Sequence, residues 1–137
     1  MTRILIADDQ PIFRKGIKSV LDAEADLTCV FEASDGRQVL DFLEAQAVDV
    51  VLLDINMPVM DGIETVKKLH SKYPEIPVIM LTIYEEARLV MRLLDLGVAG
   101  YILKDAGAHT ILEAIHAVSK GGTYYGIEVM KKMTLLM

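Results

Sequence analysis

Short apolar runs rich in β-branched residues recur along this chain, and between successive runs lie stretches whose apolar residues repeat at helical spacing. The runs are Ile4 to Ala7, Leu27 to Phe31, Val50 to Leu53, Val78 to Leu81 and Gly100 to Leu103. Each is continuous rather than alternating, which predicts strands buried on both faces. The first intervening stretch puts Ile12, Phe13, Ile17, Val20 and Leu21 on one helical face, with Arg14, Lys15, Lys18 and Asp22 on the other. Strict alternation of strand and helix predicts an α/β fold: right-handed βαβ units wound into a five-stranded parallel sheet with helices on both faces.

Turn chemistry agrees with these boundaries. Asp35-Gly36 opens the second helix, Asp61-Gly62 precedes the third, Tyr73-Pro74 closes it and Gly97 follows the fourth. A fifth helix carries Ile111, Leu112, Ile115 and Val118 in register and runs out near Gly121-Gly122, so residues 1–122 read as one domain and 123–137 as the start of a linker. At 137 residues the chain is long enough to bury one core without disulfides or structural metals. Its apolar content is high, 53%, yet no run approaches the roughly eighteen residues needed to span a bilayer, and acids follow too soon after Met1 for a signal peptide. A soluble, cytoplasmic protein is expected. A net charge of −6 with no basic cluster argues against a grip on nucleic acid by this segment. The single cysteine, Cys29, is expected as a buried strand residue, and His70, His109 and His116 as surface residues with no metal-site spacing.

In doubly wound sheets ligands bind beyond the carboxyl ends of the strands, where strand order reverses. The first strand ends in Asp8-Asp9, the third in Asp54-Ile55-Asn56, the fourth in Thr82 and the fifth in Lys104-Asp105. In the order 2-1-3-4-5, strands one and three are neighbours, and Asp8, Asp9 and Asp54 converge. Carboxylates crowded at one rim repel, and a hard divalent cation such as Mg²⁺ relieves that repulsion while bridging to phosphate oxygens. A carboxylate beside such a cation can attack phosphorus, with Thr82 and Lys104 meeting the charge on the phosphoryl oxygens. Any one of these residues alone is better explained by a helix cap or a solvated strand end. It is their fall on four strand ends of the same rim that points to phosphoryl chemistry.

At these residues the chain resembles the receiver domain of two-component response regulators over about residues 1 to 122, a flavodoxin-like fold. The resemblance implies that Asp54 is the phosphoacceptor, supplied by a sensor histidine kinase. It implies Mg²⁺ on Asp9, Asp54 and the Asn56 carbonyl, with Asp8 acting largely through water. Thr82 falls on the family's switch hydroxyl, Lys104 on its phosphate-pairing lysine and Tyr101 on its switch aromatic. Asn56 and Tyr84 occupy the two positions that tune dephosphorylation, and Tyr84 is expected to slow self-hydrolysis by shielding the phosphoryl group. In one departure Asp105, not the common proline, follows Lys104.

The fourth helix, Ala87 to Leu96, carries more apolar residues than one core-facing stripe needs, and some are expected to serve a partner. The segment from Gly121 to Tyr125, followed by Ile127, Met130, Met133 and Met137, is similar to the linker of LuxR-type (NarL-like) regulators, which leads to a helix-turn-helix output domain. The chain stops within an apolar stripe with no capping residue, so either it is a fragment of a longer transcription regulator, the favoured reading, or the tail helix packs on a partner. The resemblance implies dimerisation on phosphorylation and contact with DNA only through the output domain, and no membrane partner is expected. The competing reading is a Mg²⁺-dependent phosphohydrolase of the haloacid dehalogenase type. It wants a general-acid aspartate two residues after the nucleophile, where this chain has Asn56.

Overall fold

The computed structural model describes residues 1–136. Strands β1 (Thr2–Ala7), β2 (Leu27–Ala33), β3 (Val50–Leu53), β4 (Val78–Thr82) and β5 (Gly100–Leu103) alternate with helices α1 (Pro11–Asp22), α2 (Gly36–Ala45), α3 (Gly62–Lys72), α4 (Ala87–Asp95) and α5 (Ala108–Ser119). The chain then forms a short strand β6 (Tyr124–Tyr125) and a helix α6 (Ile127–Leu136). All strand pairs are parallel, in the order β2-β1-β3-β4-β5-β6.

The expected order of the first five strands holds, but the sheet has six strands, not five. Two residues are too few to show periodicity, and β6 exists because β5 offers it an edge. Gly100 pairs with Tyr124 and Tyr101 with Tyr125. Tyr124 N–H donates to the Ala99 carbonyl at 3.0 Å and Gly126 N–H to the Tyr101 carbonyl at 3.2 Å. A side chain at Gly100 would bring its Cβ to 3.0 Å from the Tyr124 oxygen, so the close approach depends on glycine there.

Side chains alternate across the sheet and feed two cores. Leu5, Ala7, Val51 and Leu53 face one side with Val39 of α2, Val66 and Leu69 of α3, and Val90 and Leu93 of α4. Ile4, Ile6, Val50 and Leu52 face the other with Ile17 and Leu21 of α1 and Ile111, Ile115 and Val118 of α5. Burying each such aliphatic side chain contributes about 1.5–3 kcal/mol relative to exposure. Within α1, Ile12 departs from the expected apolar face: it is 90% exposed, in the helix's first turn. Asp61 caps α3 as its side chain accepts from Glu64 N–H at 2.9 Å, and Asp35 caps α2 through Gln38 N–H at the same distance.

The surplus apolar face of α4 is covered by the chain itself. Helix α6 packs on α4 and β5. Val129 is 1% exposed in the core that holds Val90 and Leu93, and Met133, Leu89 and Leu94 pack against that core. The inward face of α6 is thus set by Val129 and Met133, whereas Ile127 and Met130, placed with Met133 on one stripe by the sequence, are exposed. Met137 lies outside the described residues. Cys29 is half-buried on the edge strand β2 rather than fully enclosed. His70 and His109 are exposed, while His116 is half-buried with its Nε2 3.1 Å from Asp26 Oδ2. Among the described residues no helix is long and apolar enough to cross a membrane.

Candidate functional site

The carboxyl ends of β1 and β3 lie side by side because those strands pair directly, Ala7 opposite Leu53. The residues that follow are therefore forced together: Asp8, Asp9 and Asp54 each offer a carboxylate oxygen, all within 4.8 Å of one another. Asp8 and Asp54 are buried, 2% and 6% exposed, and Asp9 opens to solvent. Backbone contacts hold the two buried acids. Asp54 N–H donates to the Ala7 carbonyl at 3.0 Å, Asp54 Oδ1 accepts from Ile55 N–H at 2.7 Å, and Asp8 Oδ1 accepts from Gln10 N–H at 2.8 Å.

Lys104 completes the cluster from the far side of the sheet. It follows β5 directly, as the sequence suggested, and is the first residue of a 3₁₀ turn, Lys104–Ala106. Its Nζ lies 2.7 Å from Asp8 Oδ2 and 3.0 Å from Asp54 Oδ2. Burial pulls the ammonium toward its neutral form, but the Asp8 and Asp54 carboxylates outweigh burial, and the net displacement is above the ordinary lysine range. Burial likewise pushes the Asp8 carboxyl above its ordinary range, with the Asp54 charge acting in the same sense, against the pull of Lys104 and the Gln10 amide.

The chemistry of the donors fits a hard divalent cation. Three carboxylates against one ammonium leave two negative charges in excess at the rim. Asp8 Oδ2 is buried, with the Lys104 ammonium 2.7 Å away. Two buried carboxylates and a third open to water are an oxygen set that suits Mg²⁺, which keeps several waters. Asn56 follows on the exposed loop beyond β3. In that loop Met60 N–H donates to the Pro58 carbonyl at 2.6 Å around Val59, whose φ of +66° is unusual for a β-branched residue.

Thr82 and Tyr101 share a partner, Tyr84. Both are 0% exposed. Thr82 Oγ1 accepts from Tyr84 N–H at 3.3 Å, and the Tyr101 hydroxyl donates to the Tyr84 carbonyl at 2.6 Å. Tyr84 itself is half-buried against the core beside α4.

Two neighbours of Lys104 were not singled out by the sequence. Gln10 Oε1 accepts from Nζ at 3.0 Å, and the Phe13 ring centroid lies 4.4 Å from it. Their only sequence signal is proximity to Asp8-Asp9, because the contact joins positions 94 apart.

Comparison with known proteins agrees with this geometry. The family model described as "Response regulator receiver domain" matches residues 4–116. Among curated relatives, the transcriptional regulatory protein DegU of Brevibacillus brevis is 36% identical over 89% of this chain and 52% of its own length. The nitrate/nitrite response regulator protein NarP of Escherichia coli K12 is 35% identical over 93% of this chain and 59% of its own. The chain thus spans between half and two thirds of the length of these relatives. Among solved structures, the isolated receiver domain of RcsB from Salmonella enterica serovar Typhimurium, with the phosphomimetic BeF₃⁻, superposes with a TM-score of 0.89 at 27% identity, covering 96% of this chain and 97% of that one. The phosphohydrolase reading finds no support among these matches. The chain belongs to the response regulator receiver domain family, and its relatives are LuxR/NarL-type response regulators.

Proposed function

We propose that this chain is a phosphorylation-controlled switch in which Asp54 accepts a phosphoryl group from a phosphohistidine of a sensor histidine kinase. The observation that carries this reading is the convergence of Asp8, Asp9, Asp54 and Lys104 at one rim, with Lys104 Nζ 3.0 Å from Asp54 Oδ2. Asp9, Asp54 and the Asn56 carbonyl would hold Mg²⁺, with Asp8 reaching it largely through water. When bound, the ion would neutralise phosphoryl charge.

The chain's own residues do the rest. The Ile55 N–H holds Asp54 Oδ1, which restrains the carboxylate that would meet phosphorus. A P–O bond forms to that oxygen as the P–N bond to the imidazole breaks, and the electron pair stays on the imidazole nitrogen. Lys104 moves from pairing two carboxylates to pairing a phosphoryl oxygen. Thr82 turns from the Tyr84 amide to a second phosphoryl oxygen, and with Tyr101 it resets the loop between β4 and α4. Tyr84 shields the acyl phosphate from water and slows its hydrolysis. The chemistry is confined to the protein's own phosphorylation and dephosphorylation. In this reading residues 1–122 are the receiver and 123–137 begin the linker of a cytoplasmic transcription regulator, which dimerises on phosphorylation and meets DNA through an output domain beyond this chain.

Incubation with acetyl phosphate and Mg²⁺ followed by intact-protein mass spectrometry tests this. One added phosphoryl group is expected, absent from Asp54→Asn and from an EDTA control. Steady phosphate release without an adduct would overturn the reading.

A further inference from the structure

Lys104 is held by more than carboxylates. Its Nζ donates to Gln10 Oε1 at 3.0 Å and lies 4.4 Å from the Phe13 ring centroid, while Asp8 and Asp54 stand at 2.7 and 3.0 Å. Gln10 occupies the N-cap position of α1, yet its side chain makes no cap hydrogen bond there. It reaches across to Lys104 instead, and its own N–H donates to Asp8 Oδ1 at 2.8 Å. One residue therefore grips both the buried carboxylate and the ammonium that faces it.

Phe13 supplies a fixed plate. Its ring is half-buried and packed against the core formed with α1 and α5, which restrains it beside the lysine. A cation over an aromatic face is attracted by the ring quadrupole, more strongly when desolvated, and the Lys104 side chain is only 10% exposed.

Both neighbours are neutral, which matters at a rim already carrying two excess negative charges. The carboxylates that hold Lys104 are the same groups a metal or an incoming phosphoryl group must engage. A lysine held by Asp8 and Asp54 alone would lose its anchors when the site is used, and its flexible stem would let the ammonium swing to solvent. Gln10 and Phe13 hold it without competing for those oxygens and without a further negative charge.

We propose that Gln10 and Phe13 are positioning residues that form a seat for the Lys104 ammonium, keeping it turned toward Asp54 when a cation claims Asp8. This rests on the reading of Asp54 as the phosphoacceptor. The seat is a property of this chain's α1 entrance and requires nothing of the catalytic groups beyond the positions they already hold.

The test uses Gln10→Leu, Phe13→Leu and Phe13→Tyr in the full chain, with selectively ¹³C-labelled lysine. In the wild type the Lys104 ε-methylene protons resonate upfield of the other lysines because they lie by the Phe13 ring, with and without Mg²⁺. That shift is lost in Phe13→Leu and kept in Phe13→Tyr. At saturating Mg²⁺ the rate of adduct formation from acetyl phosphate falls by about fivefold to tenfold in Phe13→Leu and Gln10→Leu, the scale of one desolvated cation contact. Phe13→Tyr restores the rate. Gln10 is exposed, so Gln10→Leu tests the seat without threatening the core. Rates within twofold of wild type in both leucine variants would overturn the seat while leaving Asp54 as acceptor. So would a rate loss in Phe13→Leu that tyrosine does not rescue. A wild type that takes no phosphoryl group would instead sink the acceptor reading, and the seat would then be judged by the lysine resonance alone.

Discussion

The Tyr101 hydroxyl donates a 2.6 Å hydrogen bond to the carbonyl oxygen of Tyr84, seventeen residues earlier, while the N–H of the same Tyr84 donates to Thr82 Oγ1 at 3.3 Å. The loop leaving β4 is thus clamped at one residue, from above by an aromatic of β5 and from behind by the hydroxyl that ends its own strand. The second contact is long for a hydrogen bond, so the tyrosine is the stronger jaw. Burial pushes the Tyr101 phenol far above its ordinary pKa, which keeps it a donor at any working pH.

Removing that jaw should loosen the loop without disturbing the core. Tyr101→Phe keeps the buried ring and leaves the Tyr84 carbonyl without its donor, a loss of about 1 kcal/mol. Hydrogen exchange at residues 83–86 is expected to quicken while the strands stay protected, and chemical denaturation should report the matching fall in stability. Unchanged exchange across the loop would show that the hydroxyl does not hold it.

The site also depends on a helix that contributes no functional side chain to it. Gly62 N–H donates to the Ile55 carbonyl at 2.7 Å, and a Cβ on Gly62 would sit 2.2 Å from the Asp54 carbonyl oxygen and 2.7 Å from Ile55 Cα. Backbone cannot yield as a side chain end can. Gly62→Ala is therefore expected to destabilise by about 3 kcal/mol and to displace Asp54, so that both the midpoint of unfolding and the yield of phosphoryl adduct fall. Full adduct in a variant of wild-type stability would contradict this.

Much of this was legible in the sequence because parallel strands buried on both faces have few alternatives. Asp8, Asp9 and Asp54 meet as expected because β1 and β3 pair directly, in the strand order the sequence reading assumed. What escaped was whatever depends on pairing between distant positions. Nothing local marks Tyr124 and Tyr125 as a strand; their pairing needs the glycine at position 100. Helix α4 reads as though it needs a partner because its cover, Val129 and Met133, lies after a pair of glycines that looks like the end of the domain. The seat of Lys104 escaped for the same reason: an N-terminal glutamine carries no mark of a lysine that joins it only in the folded chain.

Cys29 should behave as an inert thiol. Burial raises its pKa from 9.0 to about 11, partly offset by the Lys18 charge. A folded pKa above the unfolded one means the folded state holds the proton more tightly. Its contribution to stability is complete below pH 9 and is lost as pH rises through about 11. Thiolate absorbance should therefore titrate near pH 11 in the folded protein and near pH 9 in denaturant, with iodoacetamide labelling at pH 8 much slower than for the unfolded chain. Equal labelling rates would show the thiol to be open.

The carboxylate rim makes the opposite demand, a charge that harms the fold when alone and serves it when a cation arrives. Asp8 is 2% exposed, and although Lys104 pairs with it, it faces Asp54 in a cluster with more negative than positive charge. Asp8→Asn removes one of those charges while nearly preserving shape. In EDTA at neutral pH the variant is expected to be more stable than wild type, by about 1 kcal/mol, because burial and the Asp54 charge disfavour the ionised Asp8. Adding Mg²⁺ should reverse the order. A cation that binds only the folded state stabilises it by mass action, about 2.7 kcal/mol at a hundredfold excess over its dissociation constant, and the variant, with a weakened site, should gain less. Thermal unfolding of both proteins across a Mg²⁺ series measures the crossing directly. If wild type is already the more stable protein in EDTA, the Lys104 contacts outweigh the repulsion, and the rim is a settled ion-pair network rather than a site waiting for charge.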